Sequence, residues 1–242
     1  MKKFITILRA VVFNIYWLFW TLFVAIIGVP LLFCKPTILS RINRLWSIGS
    51  LFGLRLIHNL DFKVYGLEHL PKNQPYIIAS KHQSTYEVII FLSIIDDVHP
   101  VYVLKKELTR IPLYGMYLIY SGMIVINRSR RMEAIKQLFV KAKQRLAENR
   151  PIIIFPEGTR THIGTTTNYH AGISLLYEKN NVCIIPVALN TGVFWPKNSF
   201  FKKPGTCIIE FLPPILPGLN KEDFLYILKE KIETKSQELL RI

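Results

Sequence analysis

The sequence predicts an α/β domain, a mixed and partly parallel sheet flanked by helices, preceded by an N-terminal membrane-embedded two-helix segment. Three observations predict it. An uncharged apolar run from Ala10 to Cys34 is followed by a basic amphipathic stretch from Ile38 to Leu60. From Asp61 onward, short β-branched runs alternate with helical periods, the pattern of strands layered with helices. Half of the 242 residues are hydrophobic and only 19% are charged, a balance that excludes a disordered chain and is high for a freely soluble one. Residues 1–60 are therefore read as a membrane anchor and 61–242 as one α/β domain.

The first helix carries Phe13, Ile15, Trp17, Leu18, Phe19, Trp20, Phe23 and Ile26. Gly28 and Pro30 predict that it ends or kinks there, leaving about 18 residues at about 1.5 Å each, a marginal fit to a bilayer core of about 30 Å. A cleaved secretory signal fits poorly, because Trp17, Trp20 and Phe33 occupy places where small residues belong. Basic residues flank both sides, so charge selects no orientation. In the second helix Leu39, Ile42, Leu45, Trp46, Phe52, Leu56, Ile57 and Leu60 share one arc, against Arg41, Arg44, Arg55 and His58; Leu51 and Leu54 break the pattern. Such a pair reads as a hairpin embedded in, or lying along, one leaflet.

Strands are predicted near 62–65, 76–80, 101–104, 123–126, 152–155, 183–189 and 207–211. Helices are predicted near 85–95, 108–120, 131–149, 171–179 and 221–240. Polar pairs follow four of these strands: Lys81-His82, Lys105-Lys106, Asn127-Arg128 and Pro156-Glu157. Ligands of open α/β sheets bind at strand carboxyl ends, so a histidine, cations and a carboxylate gathered there make an anion site with a base beside it.

Lysine and arginine number 31 against 16 acidic residues, and 31 − 16 leaves +15 to be met by something anionic. Nucleic acid is not expected, because the basic residues are scattered and no recognised module appears. Cys34, Cys183 and Cys207 show no metal-ligand spacing and read as buried, inert thiols of a reduced compartment. No metal is expected either: His82 and Glu87 lack helix-borne ligand spacing, and His162 and His170 have no partner set.

In Lys81-His82-Gln83-Ser84-Thr85-Tyr86-Glu87, an imidazole precedes a carboxylate by five positions. On a continuous helix they point apart, so they meet only if His82 lies in the turn before the helix. A histidine held in that way can act as a general base. The same residues also fit a capping box, with Ser84 as N-cap and Glu87 reaching back to its amide. Phe155-Pro156-Glu157-Gly158-Thr159-Arg160-Thr161 makes a tight turn after a strand, presenting amides, a hydroxyl and a guanidinium suited to an oxyanion. Thr161 to Tyr169 reads either as a mobile lid or as an inert loop.

This ordered set, over roughly Tyr76 to Thr191, resembles the glycerolipid acyltransferase family, whose bacterial members include the 1-acyl-sn-glycerol-3-phosphate acyltransferases. The resemblance implies a glycerol-3-phosphate acyltransferase-like fold, with His82 and Glu87 as the catalytic pair. It gives Lys105, Arg128, Glu157, Gly158, Thr159 and Arg160 to the acceptor and its phosphate. Ile185-Pro186-Val187-Ala188 resembles the family's V-P-V block. Two positions depart from the pattern: Glu87 stands for an aspartate, and Asn127 for an aspartate beside the arginine. The implied reaction moves a fatty acyl group from acyl-CoA or acyl carrier protein, as co-substrate and with no other cofactor, to the free hydroxyl of a lysophospholipid acceptor, 1-acyl-sn-glycerol 3-phosphate, making phosphatidic acid for phospholipid synthesis. The oxyanion donors are expected among the amides near Ser84 or Gly158. The implied place is the cytoplasmic (inner) membrane, an anionic surface, with the site on the cytosolic face. Another acceptor (glycerol 3-phosphate, another lysophospholipid or an aminolipid) or a non-catalytic basic membrane-binding module are the alternatives.

Overall fold

Continuous apolar runs set the middle of the sheet. In the computed structural model, which describes residues 2–95, 99–127 and 129–241, all of β2 (Tyr76–Ser80), β5 (Ile152–Ile154) and β6 (Cys183–Leu189) is buried. Strands buried on both faces need such unbroken hydrophobicity. By contrast β7 (Gly205–Phe211) alternates toward its end, and β1 (Leu60–Tyr65) is largely open at the sheet edge. With β3 (Val101–Lys105) and β4 (Ile124–Ile126), the seven strands lie in the order β1-β7-β6-β2-β5-β3-β4. Each adjacent pair is parallel except β6 and β7, so the sheet is mixed as expected. The strands β6, β2, β5, β3 and β4 therefore all end along one edge.

The helices α1 (Lys2–Gly28) and α2 (Pro36–His58) form the N-terminal pair, joined by a 3-10 turn at Val29–Phe33. The first begins earlier than the charge pattern predicted. Its 27 residues reach about 40 Å at about 1.5 Å each, longer than the marginal span expected. Among the described residues, one segment, Lys3–Phe33, is long and apolar enough to cross a bilayer. Small residues of α2 receive the aromatic residues of α1: a Cβ on Gly49 would lie 2.1 Å from Trp20, and one on Gly53 2.2 Å from Tyr16. Polar atoms of these rings are satisfied across the pair. Tyr16 Oη donates to Gly49 O (2.8 Å), Trp17 Nε1 to Ser50 Oγ (3.0 Å) and Trp20 Nε1 to Trp46 O (3.0 Å).

The single apolar arc expected of α2 is split. Leu54, which broke the pattern, is fully buried, whereas Leu45, Phe52 and Leu56 are exposed. The helix packs its small face and Leu54 inward and leaves an apolar face outward, beside the exposed Ile15, Leu18, Phe19, Phe23 and Ile26 of α1.

Then come α3 (Tyr86–Ile94), α4 (Tyr114–Tyr120), α5 (Arg131–Ala147), α6 (Gly172–Asn180), the short α7 (Thr191–Phe194) and α8 (Lys221–Leu239). The single helix expected over 108–120 is broken: a 3-10 turn at Lys106–Arg110 precedes α4, and Leu113 after Pro112 takes φ 61°. Proline lacks the amide that a continuing helix needs. The α8 helix lies against β6 and α6. Cys183 and Cys207 are buried as expected, but Cys34 is exposed, because it falls in the turn between α1 and α2 rather than in a core.

Candidate active site

At the end of β2 the Lys81 amide still joins β6 through Val187 O (3.0 Å), and the chain then turns over the start of α3. His82 lies in that turn and Glu87 in the first helical turn. The imidazole Nδ1 is 2.8 Å from Glu87 Oε1. That same oxygen accepts from the amides of Gln83 (2.9 Å) and Ser84 (2.8 Å), and Oε2 accepts from Thr191 Oγ1 (2.7 Å). Ser84 Oγ in turn accepts from the Tyr86 amide at 3.0 Å. The cap and the imidazole partner, which the spacing left as rival readings, are thus one carboxylate doing both. The glutamate at this position thus meets the turn and the ring with a single oxygen.

Glu87 is fully buried, and four donors satisfy its charge. Because a carboxylate only accepts, the proton of this bond is on Nδ1 of His82, and Nε2 is the nitrogen left without a tie to Glu87. The ring stacks on Phe155, with centroids 3.9 Å apart and planes at 16°, which fixes its orientation further.

Gly158 closes the turn after β5 with φ 68°, a left-handed value that favours glycine. Its neighbour Glu157 does not join the phosphate ligands expected of it. The side chain is turned inward and unexposed. Oε2 accepts from the His82 amide (2.7 Å), and Oε1 meets Lys81 Nζ (2.7 Å) and Thr161 Oγ1 (3.0 Å). Burial raises its pKa, an effect that Lys81 opposes first among its neighbours. A carboxylate here repels phosphate and instead holds the loop. The amides of Ser84 and Gly158, candidates for the oxyanion, are spent on Glu87 and on Phe155 O (2.9 Å).

Among the expected cations, Arg160 is at the site: Nη1 donates to Thr85 Oγ1 (3.0 Å) and Nη2 to Asn198 Oδ1 (3.4 Å), and no carboxylate pairs with it among the described residues. Thr159 is exposed beside it. Lys105 is exposed at the same sheet edge but at the end of β3, two strands from β2 in the sheet order and so about 10 Å across. Arg128 lies outside the described residues; Asn127 before it follows β4 directly. The Thr161 to Tyr169 segment is no free lid, since Thr161, Thr165 and Tyr169 all bond the buried groups beneath it. Thr191 and Glu233 belong to the site and, being distant in the chain, were not singled out from sequence. Lys81, counted among the strand-end cations of an anion site, instead turns its ammonium inward to Glu157 and Glu233.

Beside the histidine an apolar cleft of about 380 Å³ opens, lined by Val103, Ile126, Leu138, Ile154, Phe155 and Gly158 among others. Phe155 thus faces the cleft and the imidazole alike. Among the described residues, no group of three or more His, Cys, Asp or Glu side chains is placed to hold a metal ion.

The carboxyl ends of the parallel strands thus bring together a carboxylate-steered histidine and a guanidinium, with an apolar cleft adjoining. A family model described as acyltransferase matches residues 61–190, and the chain belongs to that family. A 1-acyl-sn-glycerol-3-phosphate acyltransferase of Pseudomonas aeruginosa is 34% identical over 161 residues, 66% of this chain and 62% of the relative, so the match spans less than two thirds of that protein. One from Borreliella burgdorferi is 33% identical, covering 73% of this chain and 72% of its own. A crystal structure of a 1-acyl-sn-glycerophosphate acyltransferase from Thermotoga maritima shares the fold, at 22% identity and a TM-score of 0.73, over 99% of this chain and 98% of that one.

Proposed function

We propose that this protein transfers a fatty acyl group from acyl-CoA or acyl carrier protein to the free hydroxyl of 1-acyl-sn-glycerol 3-phosphate, making phosphatidic acid. The observation that carries the reading is the His82–Glu87 pair, 2.8 Å apart, with Arg160 beside it and an apolar cleft adjoining. The names of the relatives support the same acceptor.

His82 Nε2 takes the hydroxyl proton as that oxygen attacks the thioester carbonyl. Glu87 stabilises the imidazolium that forms. The tetrahedral intermediate collapses, the C–S bond breaks, and the departing thiolate takes the proton back from His82. A thioester is already activated, so no covalent enzyme intermediate and no resident cofactor or metal is required. Arg160 pairs with the acceptor phosphate and Lys105 extends the cationic edge, while Arg128 is given to the same phosphate by the resemblance of its motif. Holding the hydroxyl against the base supplies much of the rate. The cleft takes an acyl chain.

Residues 1–60 anchor the catalytic body, 61–242, to the cytoplasmic membrane, with the site on the cytosolic face where the thioester donors are. The exposed apolar faces of α1 and α2 support that seat.

The test is transfer from radiolabelled acyl-CoA or acyl carrier protein by the purified protein in mixed micelles, across a panel of lysophosphatidic acid, glycerol 3-phosphate and other lysolipids. Phosphatidic acid is expected as the main product, and His82→Ala should abolish it. Near-normal turnover by that variant overturns the base, preference for another acceptor overturns the substrate, and lipid association without transfer overturns the enzyme.

A further inference from the structure

Beneath the site lies a charge cluster that the proposed chemistry does not use. Lys81, 2% exposed, places its ammonium 2.7 Å from Glu157 Oε1 and donates to both oxygens of Glu233, at 2.9 and 2.8 Å. It also donates to Thr165 O at 3.1 Å. Tyr169 Oη donates to Glu233 Oε1 at 3.1 Å. One cation thus holds two carboxylates from distant parts of the chain, one in the turn after β5 and one on α8.

The cluster ends on the backbone of His82. Its N–H donates to Glu157 Oε2 (2.7 Å), and its C=O accepts from the Thr161 amide (2.8 Å) and hydroxyl (3.2 Å). The main chain of the imidazole-bearing residue is therefore fixed on both sides by Glu157 and the loop it organises. Glu157 in turn is located by Lys81, and Lys81 by Glu233. The last of these rides on α8, packed against β6, so the series ends on a rigid element.

We propose that Lys81 and Glu233 are positioning residues, acting through Glu157 to hold the His82 backbone in register with Glu87 and the acceptor. The proposal rests on the reading of His82 as base. A buried ammonium held between two anions has one preferred place, whereas with Glu157 alone it can pivot about that carboxylate, so the Lys81–Glu157 pair is no longer tied to α8 and shifts as a unit. Catalysis by an oriented base is sensitive to displacements of an ångström or less.

Two substitutions in the full-length protein in detergent micelles test this. Glu233→Gln keeps the shape and an acceptor for Tyr169 while removing the charge; Lys81→Met removes the ammonium. Amide exchange of the 80–84 segment, read by mass spectrometry without substrate, should quicken by about tenfold or more in Glu233→Gln. Its kcat should fall about tenfold, with the acceptor KM within about threefold of wild type. Lys81→Met should show the larger effect in both readings. If Lys81→Met does not fold, Glu233→Gln decides alone. Exchange and kcat within about twofold of wild type in folded Glu233→Gln overturn the proposal. Because exchange is read with no substrate present, a failure of the wild type to acylate lysophosphatidic acid is seen separately.

Discussion

Thr191 donates its hydroxyl to Glu87 Oε2 at 2.7 Å, across 104 positions of the chain. The bond links the first residue of α7 to the first turn of α3 and satisfies the carboxylate oxygen that faces away from the imidazole. Thr191 is fully buried, so no water replaces it. Thr191→Val keeps the shape and leaves that oxygen a bond short, a loss that costs about 1–3 kcal/mol. The urea midpoint should fall accordingly, and kcat about tenfold as the carboxylate loosens. Thr191→Ser, which keeps the hydroxyl, should restore most of both.

The two duties of Glu87 are separable by experiment. In Glu87→Gln the amide oxygen still accepts from the Gln83 and Ser84 amides and from His82 Nδ1, so the turn should survive and thermal stability stay close to wild type. The neutral amide no longer stabilises an imidazolium. We expect kcat to fall by about 10² to 10⁴, the usual weight of such a group, while acceptor KM changes little. A melt lowered as far as the activity would show that the carboxylate is mainly a cap.

How far the sequence carried this reading depended on the range of each interaction. The strands were legible because β2, β5 and β6 are short, isoleucine-rich apolar runs bounded by polar or turn residues, too brief for the helices that the longer apolar stretches form. His82 and Glu87 were legible because both lie within one turn, where spacing limits the geometry. Glu157 was misread. Its motif said that it belonged to the site, but only the fold reveals Lys81 behind it, pulling the carboxylate inward. Glu233 carried no signal at all, since 152 positions separate it from Lys81. In α2 the helical period found an apolar arc but not that Leu54 and the small residues would be claimed by the protein and Phe52 and Leu56 left outside.

That division makes the α1–α2 seam testable. Gly49 and Gly53 lie where Trp20 and Tyr16 come within 2.1 and 2.2 Å of the place a Cβ would take. Gly49→Leu should therefore force the helices apart and break the bond from Tyr16 Oη to Gly49 O. Overpacking of this kind costs about 1–3 kcal/mol. The melting temperature in micelles should drop and Trp20 should become more accessible to a collisional quencher, whereas a polar substitution at the exposed Phe52 should leave both nearly unchanged.

The foot of the helix pair gives a pH prediction. His58 is buried, edge-on to Phe13 with centroids 5.3 Å apart, and its Nε2 has no hydrogen-bond partner. Burial lowers its pKa to about 4, helped by the positive charges of Lys202 and Arg9. Since the folded value lies below the ordinary 6.5, the neutral ring's contribution to stability is present above pH 6.5. It is lost as pH falls from there through about 4, because the unfolded chain binds a proton that the folded one refuses. His58→Phe keeps the ring contact without the titration. Between pH 7 and pH 4.5 its Tm should fall less than that of the wild type, by about 5 °C or more. Parallel Tm curves for the two proteins over that window would show that the ring reaches water and protonates freely in the fold.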